Sequence, residues 1–353
     1  MAATRRPTLA DVAREAGVSA KTVSRVLNGD GPAAEDTREK VLAAVTRLGF
    51  RLNPMARSVR LGAPDTAVGL VVPDLGNPFF GRVAGSVEET VRERGLTLLV
   101  GSSAEDPARE RALADTFLGR RVSMLLVVPA AGAGHAGLRE ARAGGLPVVF
   151  LDRPGSGLAA DSVLSDHRAG ARDGVAHLIR HGHRRIGFVG DLPARLYTRR
   201  ERLAGYRAAL ADAGLPCDRS LVAGAHDRHR AAAETARLLA LADPPTALLA
   251  GNNVAALGVL AQLARSGRRD VALVAFDDLP LAELLDPPLT AVAQDPAALG
   301  REAARTGLAR LDGDRGRARR ITVPTRLIPR GSGELPGPAA ATGRSGTAGR
   351  PGG

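Results

Sequence analysis

The sequence predicts a small all-helical head carrying a helix-turn-helix and a hinge helix, followed by an α/β body of two doubly wound parallel-sheet sub-domains. Three observations predict this. Apolar residues recur at helical spacing through the first fifty positions. From Ala67 onward, short apolar runs alternate with helical stretches. The charge is split unevenly along the chain.

The charge comes first because it bounds the partners. The 353 residues carry a formal net charge of +12, nearly all of it from arginine; Lys21 and Lys40 are the only lysines. Residues 1–62 hold eleven basic and six acidic side chains, residues 312–353 eight and three, and the long middle is nearly neutral. That distribution suits a nucleic-acid-contacting head on a ligand-binding body. A lone cysteine, Cys217, rules out a disulfide framework within one chain. No window nears 18 uninterrupted apolar residues, and the start has no apolar stretch of signal-peptide type, so the expected setting is soluble and cytoplasmic, with no membrane partner.

In the head, Leu9, Val12, Ala13 and Ala16 form one helix face. Thr8 and Asp11 have the spacing of an N-terminal capping box, and Gly17 stops the helix. Ser19 caps a second helix with Val23, Val26 and Leu27 facing inward. A third helix starts near Glu35 and Asp36, should bury Val41, Leu42, Val45 and Leu48, and ends at Gly49. The short connection Ala16–Ser19 is what a helix-turn-helix needs. With the valines inward, Ala20, Lys21, Ser24 and Arg25 face out. Lys21 and Arg25, at i and i+4, suit a major groove in which arginine forks onto guanine. Ser19 and Thr22 suit phosphate contacts at a helix N-terminus. A basic stretch at 50–62 with a short helix at 54–60 reads as a hinge.

In the body, strands are expected at 67–72, 96–100, 122–128, 147–151, 186–190, 246–250 and 271–276, with helices between, such as 83–94 and 168–180. Continuous apolar runs mean a parallel sheet covered on both faces. Seven strands exceed one comfortable sheet, and 162–166 reads as the crossover between two sub-domains. The Gly/Pro/Ala/Arg-rich stretch 331–353 is expected to be disordered. The expected divisions are a DNA-contacting head at 1–52, a hinge at 53–65 and a ligand-binding body at 66–330. Within the last, one sub-domain takes about 66–164 plus 296–323 and the other 165–295 plus 324–330.

The 21 residues from Thr8 to Asn28 (TLADVAREAGVSAKTVSRVLN) closely resemble the head of the lactose-repressor (LacI) family, and the likeness continues through Arg38–Leu42 and Leu48–Phe50. The resemblance implies that Ala20 and Lys21 set operator choice, Arg25 contacts a base, and Thr8 and Asn28 contact the DNA backbone. Asn53–Val59 resembles the family's hinge, implying DNA contacts from Asn53, Ala56 and Val59. There the minor-groove wedge is Val59 where the family has leucine, and Leu52 stands where it has proline; a shorter wedge should still intercalate.

The body resembles the type I periplasmic sugar-binding fold over roughly 67–330, through Val68–Phe80, Leu151–Pro154, Gly182–Ile186, Arg202–Tyr206, Ala250–Asn253, Ala275–Asp278 and Ala293–Asp295. The likeness to ribose-type binders implies an effector set of Asn77, Phe79, Phe80, Asp152, Arg153, Thr198, Arg202, His226, Asn252, Asp277 and Gln294. Many of these fall at strand C-termini, where open α/β sheets bind ligands. His226 stands where an aromatic is expected, leaving pentose, hexose and nucleoside open; Asn253 and Ala275 are smaller departures. Together the resemblance implies a homodimer on a pseudo-palindromic double-stranded operator, released by a small sugar-like effector, with no cofactor. An activator or corepressor-dependent sense stays open. A sugar-processing enzyme is the competing class, but no nucleophile motif supports it. His181-Gly-His183 lacks metal-ligand spacing, and Ala130–Gly137 lacks the Gly-Lys-Ser/Thr ending of a phosphate loop.

Overall fold

A computed structural model describes residues 7–28, 33–50 and 66–338. The chain divides into a head unit, through Asp65, and a body unit from Thr66. The hinge residues Asn53, Ala56 and Val59 lie outside the described residues, as do 339–353.

The head has three helices: α1 (Leu9–Ala16), α2 (Ala20–Asn28) and α3 (Glu35–Leu48). Thr8 and Asp11 form the reciprocal capping box, and Gly17 and Gly49 close α1 and α3 in the left-handed region at φ 66° and 61°. Val12, Ala13, Val23, Val41 and Ala44 make the core. Leu42, expected inside, is 46 % exposed, and Ala44 takes the buried place one helical turn after Val41.

The body holds two six-stranded sheets. The first takes β1 (Ala67–Val72), β2 (Thr97–Ser102), β3 (Met124–Val127), β4 (Val148–Leu151), β5 (Asp161–Ser165) and β11 (Arg320–Val323), in the order β11-β5-β4-β3-β1-β2. The second takes β6 (Ile186–Gly190), β7 (Val222–Gly224), β8 (Ala247–Ala250), β9 (Ala272–Phe276), β10 (Thr290–Ala293) and β12 (Arg326–Ile328), in the order β12-β10-β9-β8-β6-β7. The two orders correspond strand for strand, so the lobes are topological repeats. Every pairing is parallel except β10 with β12.

The central strands are fully buried because helices cover both faces. On the first sheet, α4 (Pro78–Arg92) and α11 (Pro296–Leu311) cover one face and α5 (Pro107–Gly119) the other. The short α6 (Arg139–Ala143) precedes β4. On the second sheet, α7 (His167–Arg180) and α8 (Tyr197–Asp212) cover one face, α9 (Arg228–Leu239) and α10 (Asn253–Ser266) the other. Paired helices touch at glycine. A Cβ on Gly205 would sit 2.2 Å from the Arg168 carbonyl, and one on Gly300 2.5 Å from the Val83 carbonyl.

Two expectations need correction. Of residues 162–166, read as the crossover, 162–165 belong to β5, which is buried between β4 and β11; the chain crosses only at Asp166. Residues 331–338, read as disordered, pack on the second lobe. Ser332 is buried, donates through its hydroxyl to the Leu273 carbonyl at 2.6 Å and accepts from Thr290 N–H at 2.9 Å. Glu334 bonds His177 and Thr290. Specific hydrogen bonds fix a segment whose composition alone reads as loose.

The chain crosses between lobes three times, at Asp166, at Gln294–Asp295 and at Pro324–Thr325. The first and third are stitched together by Asp166 N–H donating to the Val323 carbonyl at 3.0 Å.

Candidate functional site

In the head unit, Ala20, Lys21 and Arg25 are exposed, while Val23 behind them is fully buried. Ser24 is half-buried on the same face. Ser19 accepts from Thr22 N–H at 3.1 Å, and the two hydroxyls lie 2.9 Å apart, so both are ordered at the N-terminus of α2. The Thr8 hydroxyl donates to Asp11 at 2.6 Å. Its first duty is thus to start α1, and only its remaining lone pair is open to a partner. Asn28 is the last residue of α2.

In the body unit, the C-terminal ends of both sheets face a cleft. All eleven residues expected there line one cavity of about 130 Å³. It adjoins a wider vestibule of about 400 Å³ that shares Asn77, Phe79, Asp277 and Gln294 with it and adds Arg82 and Asp278 beside the apolar Pro78, Leu257, Leu279 and Pro280. The inner space is small against the ~300–1,000 Å³ of drug-sized sites.

Backbone geometry aims the two key carboxylates. Asp152 follows β4 at φ 60° and Asp277 follows β9 at φ 76°, both in the left-handed region. Each backbone N–H still bonds the next strand, to Val163 and Val292 carbonyls at 2.9 Å. A non-glycine residue there costs on the order of 1–2 kcal/mol, and the equivalent position in each lobe carries it. Asn77 and Asn252 cap α4 and α10, accepting from Phe79 N–H at 3.0 Å and Ala255 N–H at 2.7 Å. Phe80 belongs to the first lobe's core and reaches the cavity from it, whereas Phe79 is half-buried at its wall. His226 sits at the rim, largely exposed and paired with Asp227 at 3.0 Å.

The guanidinium groups are held from behind. Arg153 forks onto Glu105 at 2.7 and 2.8 Å and donates to the Pro129 carbonyl at 2.9 Å. Arg202 donates to the Gly251 carbonyl at 2.6 Å and lies 4.0 Å over the Phe276 ring. His167 joins the two lobes beneath the cleft. Its Nδ1 accepts from Arg202 at 3.3–3.4 Å, so the proton is on Nε2, which faces the Asp152 carbonyl at 3.3 Å and its carboxylate at 3.4 Å. Burial alone would push Asp152 up, but His167, Arg153 and Arg202 together hold it at about 2.

The comparisons with known proteins agree with this arrangement. The model for bacterial regulatory proteins of the lacI family matches residues 8–53, and that for a periplasmic binding protein-like domain matches 175–333. The HTH-type transcriptional regulator DegA of Bacillus subtilis is 31 % identical over 93 % of this chain and 98 % of its own. The chain belongs to the LacI family. A putative ribose operon repressor from Burkholderia thailandensis superposes with a TM-score of 0.69 at 36 % identity, covering 74 % of this chain and 98 % of its own. The lac repressor dimer bound to operator and an anti-inducer superposes with a TM-score of 0.78 at 26 % identity, covering 93 % and 99 %. As a LacI-family member, the chain is a DNA-binding transcription regulator and not an enzyme. Among the described residues, no helix is long and apolar enough to cross a membrane.

This LacI-family cleft also contains residues the sequence reading missed. Asp191 follows β6 and accepts from the Asn252 amide, 4.0 Å from Arg202. Burial pushes its carboxyl up to about 6, against the pull of Arg202 and Arg153 and with the push of Glu105 and Asp277. Asn253 exchanges two amide hydrogen bonds with Asn77 across the lobes, at 2.7 and 3.3 Å. Asp191 was within reach of sequence reasoning, since it follows an apolar run just as Asp152 and Asp277 do. Glu105 and His167 were not, because their partners are tertiary.

Proposed function

We propose that the protein is a dimeric repressor that binds a pseudo-palindromic operator through Lys21 and Arg25 of α2 and is released when a small sugar-like effector fills the body cleft. Ser19, Thr22, Thr8 and Asn28 contribute phosphate contacts, and the linker at 53–59 carries the signal. The observation that carries the reading is the convergence of eleven residues, scattered between positions 77 and 294, on one small polar cavity between two lobes. Carboxylates, guanidiniums and amides there match the hydroxyls of a sugar, and Phe79 offers an apolar face. The ribose operon repressor likeness favours the same class.

The dimer reading is supported by Leu281 and Leu284, which are 66 and 73 % exposed on the second lobe and offer apolar side chains to a second copy. A regulator of this kind works where the chromosome is, in the cytoplasm. Each ligand switches the protein only through unequal affinity for its DNA-competent and DNA-incompetent forms.

The test is a thermal-shift screen of sugars and nucleosides on the full chain, followed by operator binding with and without each hit. A hit should lower operator affinity, and Asp277→Ala should abolish that response while leaving operator binding intact. Normal release of Asp277→Ala from DNA would show that the effector binds elsewhere.

A further inference from the structure

We infer that the effector carries a protonated amine, presented to Asp191 beside Asp277, so that the cleft takes a polyhydroxylated amine such as an amino sugar. This rests on the cleft being the effector site and narrows the ligand class within it.

The argument is a charge inventory. Five carboxylates line the cavity: Asp74, Glu105, Asp152, Asp191 and Asp277. Two guanidiniums answer them, Arg153 and Arg202, with His226 at the rim already paired to Asp227. Arg153 is taken by Glu105 through a bidentate fork. Arg202 backs onto Gly251, Phe276 and His167 and works with His167 to hold Asp152 ionised. Neither guanidinium is left with the open fork that a phosphate needs.

Asp74 is exposed and accepts from the Gly76 N–H at 2.8 Å, which leaves Asp191 and Asp277 as the buried carboxylates. Asp277 accepts only from amides, the Asn253 N–H at 3.2 Å and the Gln294 side chain. Asp191 accepts from the Asn252 amide and has Arg202 only at 4.0 Å. Arg199, outside the cavity lining, also pulls on Asp191 through space without bonding it. The upward displacement of the Asp191 carboxyl is what an acid shows when burial outweighs the pull of the cations around it.

The unsatisfied atoms lean the same way. Among atoms lining the cavity, Asp152 Oδ1 and Gln294 Oε1 are buried acceptors with no hydrogen bond, the first 3.4 Å from His167 Nε2, and Arg153 Nε is an unbonded donor 3.5 Å from Asp152 Oδ2; Arg199 Nε, outside the lining, is a second unbonded donor. An ammonium group brings one positive charge and three donors with no acceptor. It therefore meets both deficits, whereas a neutral hydroxyl meets one and a phosphate worsens both.

The experiment uses the full chain, with titration calorimetry on matched probes: glucose and glucosamine, galactose and galactosamine, 1,5-anhydroglucitol and 1-deoxynojirimycin, and glucose 6-phosphate. The amine of at least one pair should bind tenfold or more tighter than its neutral partner at pH 7.5. That preference should shrink at pH 5, as Asp191 takes a proton, and vanish in Asp191→Asn. Neutral members binding as tightly as the amines would overturn the inference and leave the sugar reading standing. Preference for glucose 6-phosphate would overturn it likewise. No binding by any member would overturn the inference, while the wider thermal-shift screen decides the sugar reading. Should Asp191→Asn fail to fold, the pair preference of the unaltered protein and its pH dependence decide the matter alone.

Discussion

The reciprocal amide pair between Asn77 and Asn253 is a latch whose strength can be worked out before it is measured. Its two hydrogen bonds, at 2.7 and 3.3 Å, join the first turn of α4 in one lobe to the first turn of α10 in the other. One is well formed and one is long. At ~0.5–1.5 kcal/mol net for a typical hydrogen bond, the pair contributes about 1–2 kcal/mol. Asn253→Ala should lose that amount. Asn77→Ala should lose about 1 kcal/mol more, because the same side chain caps α4 at Phe79. The double variant should be no worse than Asn77→Ala alone. Urea unfolding of the four ligand-free proteins gives the cycle, with an expected coupling of about 1–2 kcal/mol. Additivity within ~0.5 kcal/mol would mean that the amides do not hold the lobes together, and the reasoning would fail. If the latch holds, Asn253→Ala should also weaken any effector that requires closed lobes, by roughly five- to thirty-fold.

Other outcomes follow from the same structure. Lys21→Ala should shift base preference at one operator position by about 1–3 kcal/mol in a selection from randomised half-sites, whereas a uniform loss across sequences would mark a phosphate contact instead. Asp191 is an acid whose folded pKa lies above its unfolded one. Its burial therefore weakens the fold progressively as pH rises from about 4 through about 6, and is neutral below. Asp191→Asn should accordingly raise the melting temperature at pH 7.5 and change it little at pH 4; equal gains at both would refute the assignment. Gly205→Ala forces α7 and α8 apart against backbone and should lower stability by about 3 kcal/mol, read as a drop in urea midpoint.

Much of this was legible in the residues, for local reasons. The Thr8–Asp11 box, Gly17 and Gly49 act within a few residues of themselves, so their signals survive any tertiary context. Continuous apolar runs gave the central strands. The strands missed, Val222–Gly224, Thr290–Ala293, Arg320–Val323 and Arg326–Ile328, are short, and three of them lie at sheet edges, where no long apolar run is needed. Asp161–Ser165 begins and ends in polar residues; Asp161 is buried because Arg310 forks onto it at 2.7 and 2.9 Å from 149 residues away. Leu42 misled because α3 offers overlapping apolar spacings, and packing against α1 chose Val41 and Ala44. In the cleft, resemblance named eleven of the residues that reach the cavity and missed Asp191; Glu105, which lines it while holding Arg153, and His167, which lies behind Arg202 and Asp152, carry no motif of their own.

The three lobe crossings have a mechanical consequence. They leave adjacent strands, β5 and β11 in one sheet, β10 and β12 in the other, so they stand side by side. Bodies joined at one point can swivel freely, and joined at two they can still twist. Three tethers in a row leave one easy motion, a bend about the line through them, like a door on its pins. Gln294 is part of one pin, and His167 follows directly on another. An effector bound as proposed, touching Gln294 and Asp152, would therefore grip the door close to its axis and set one angle for the whole lobe.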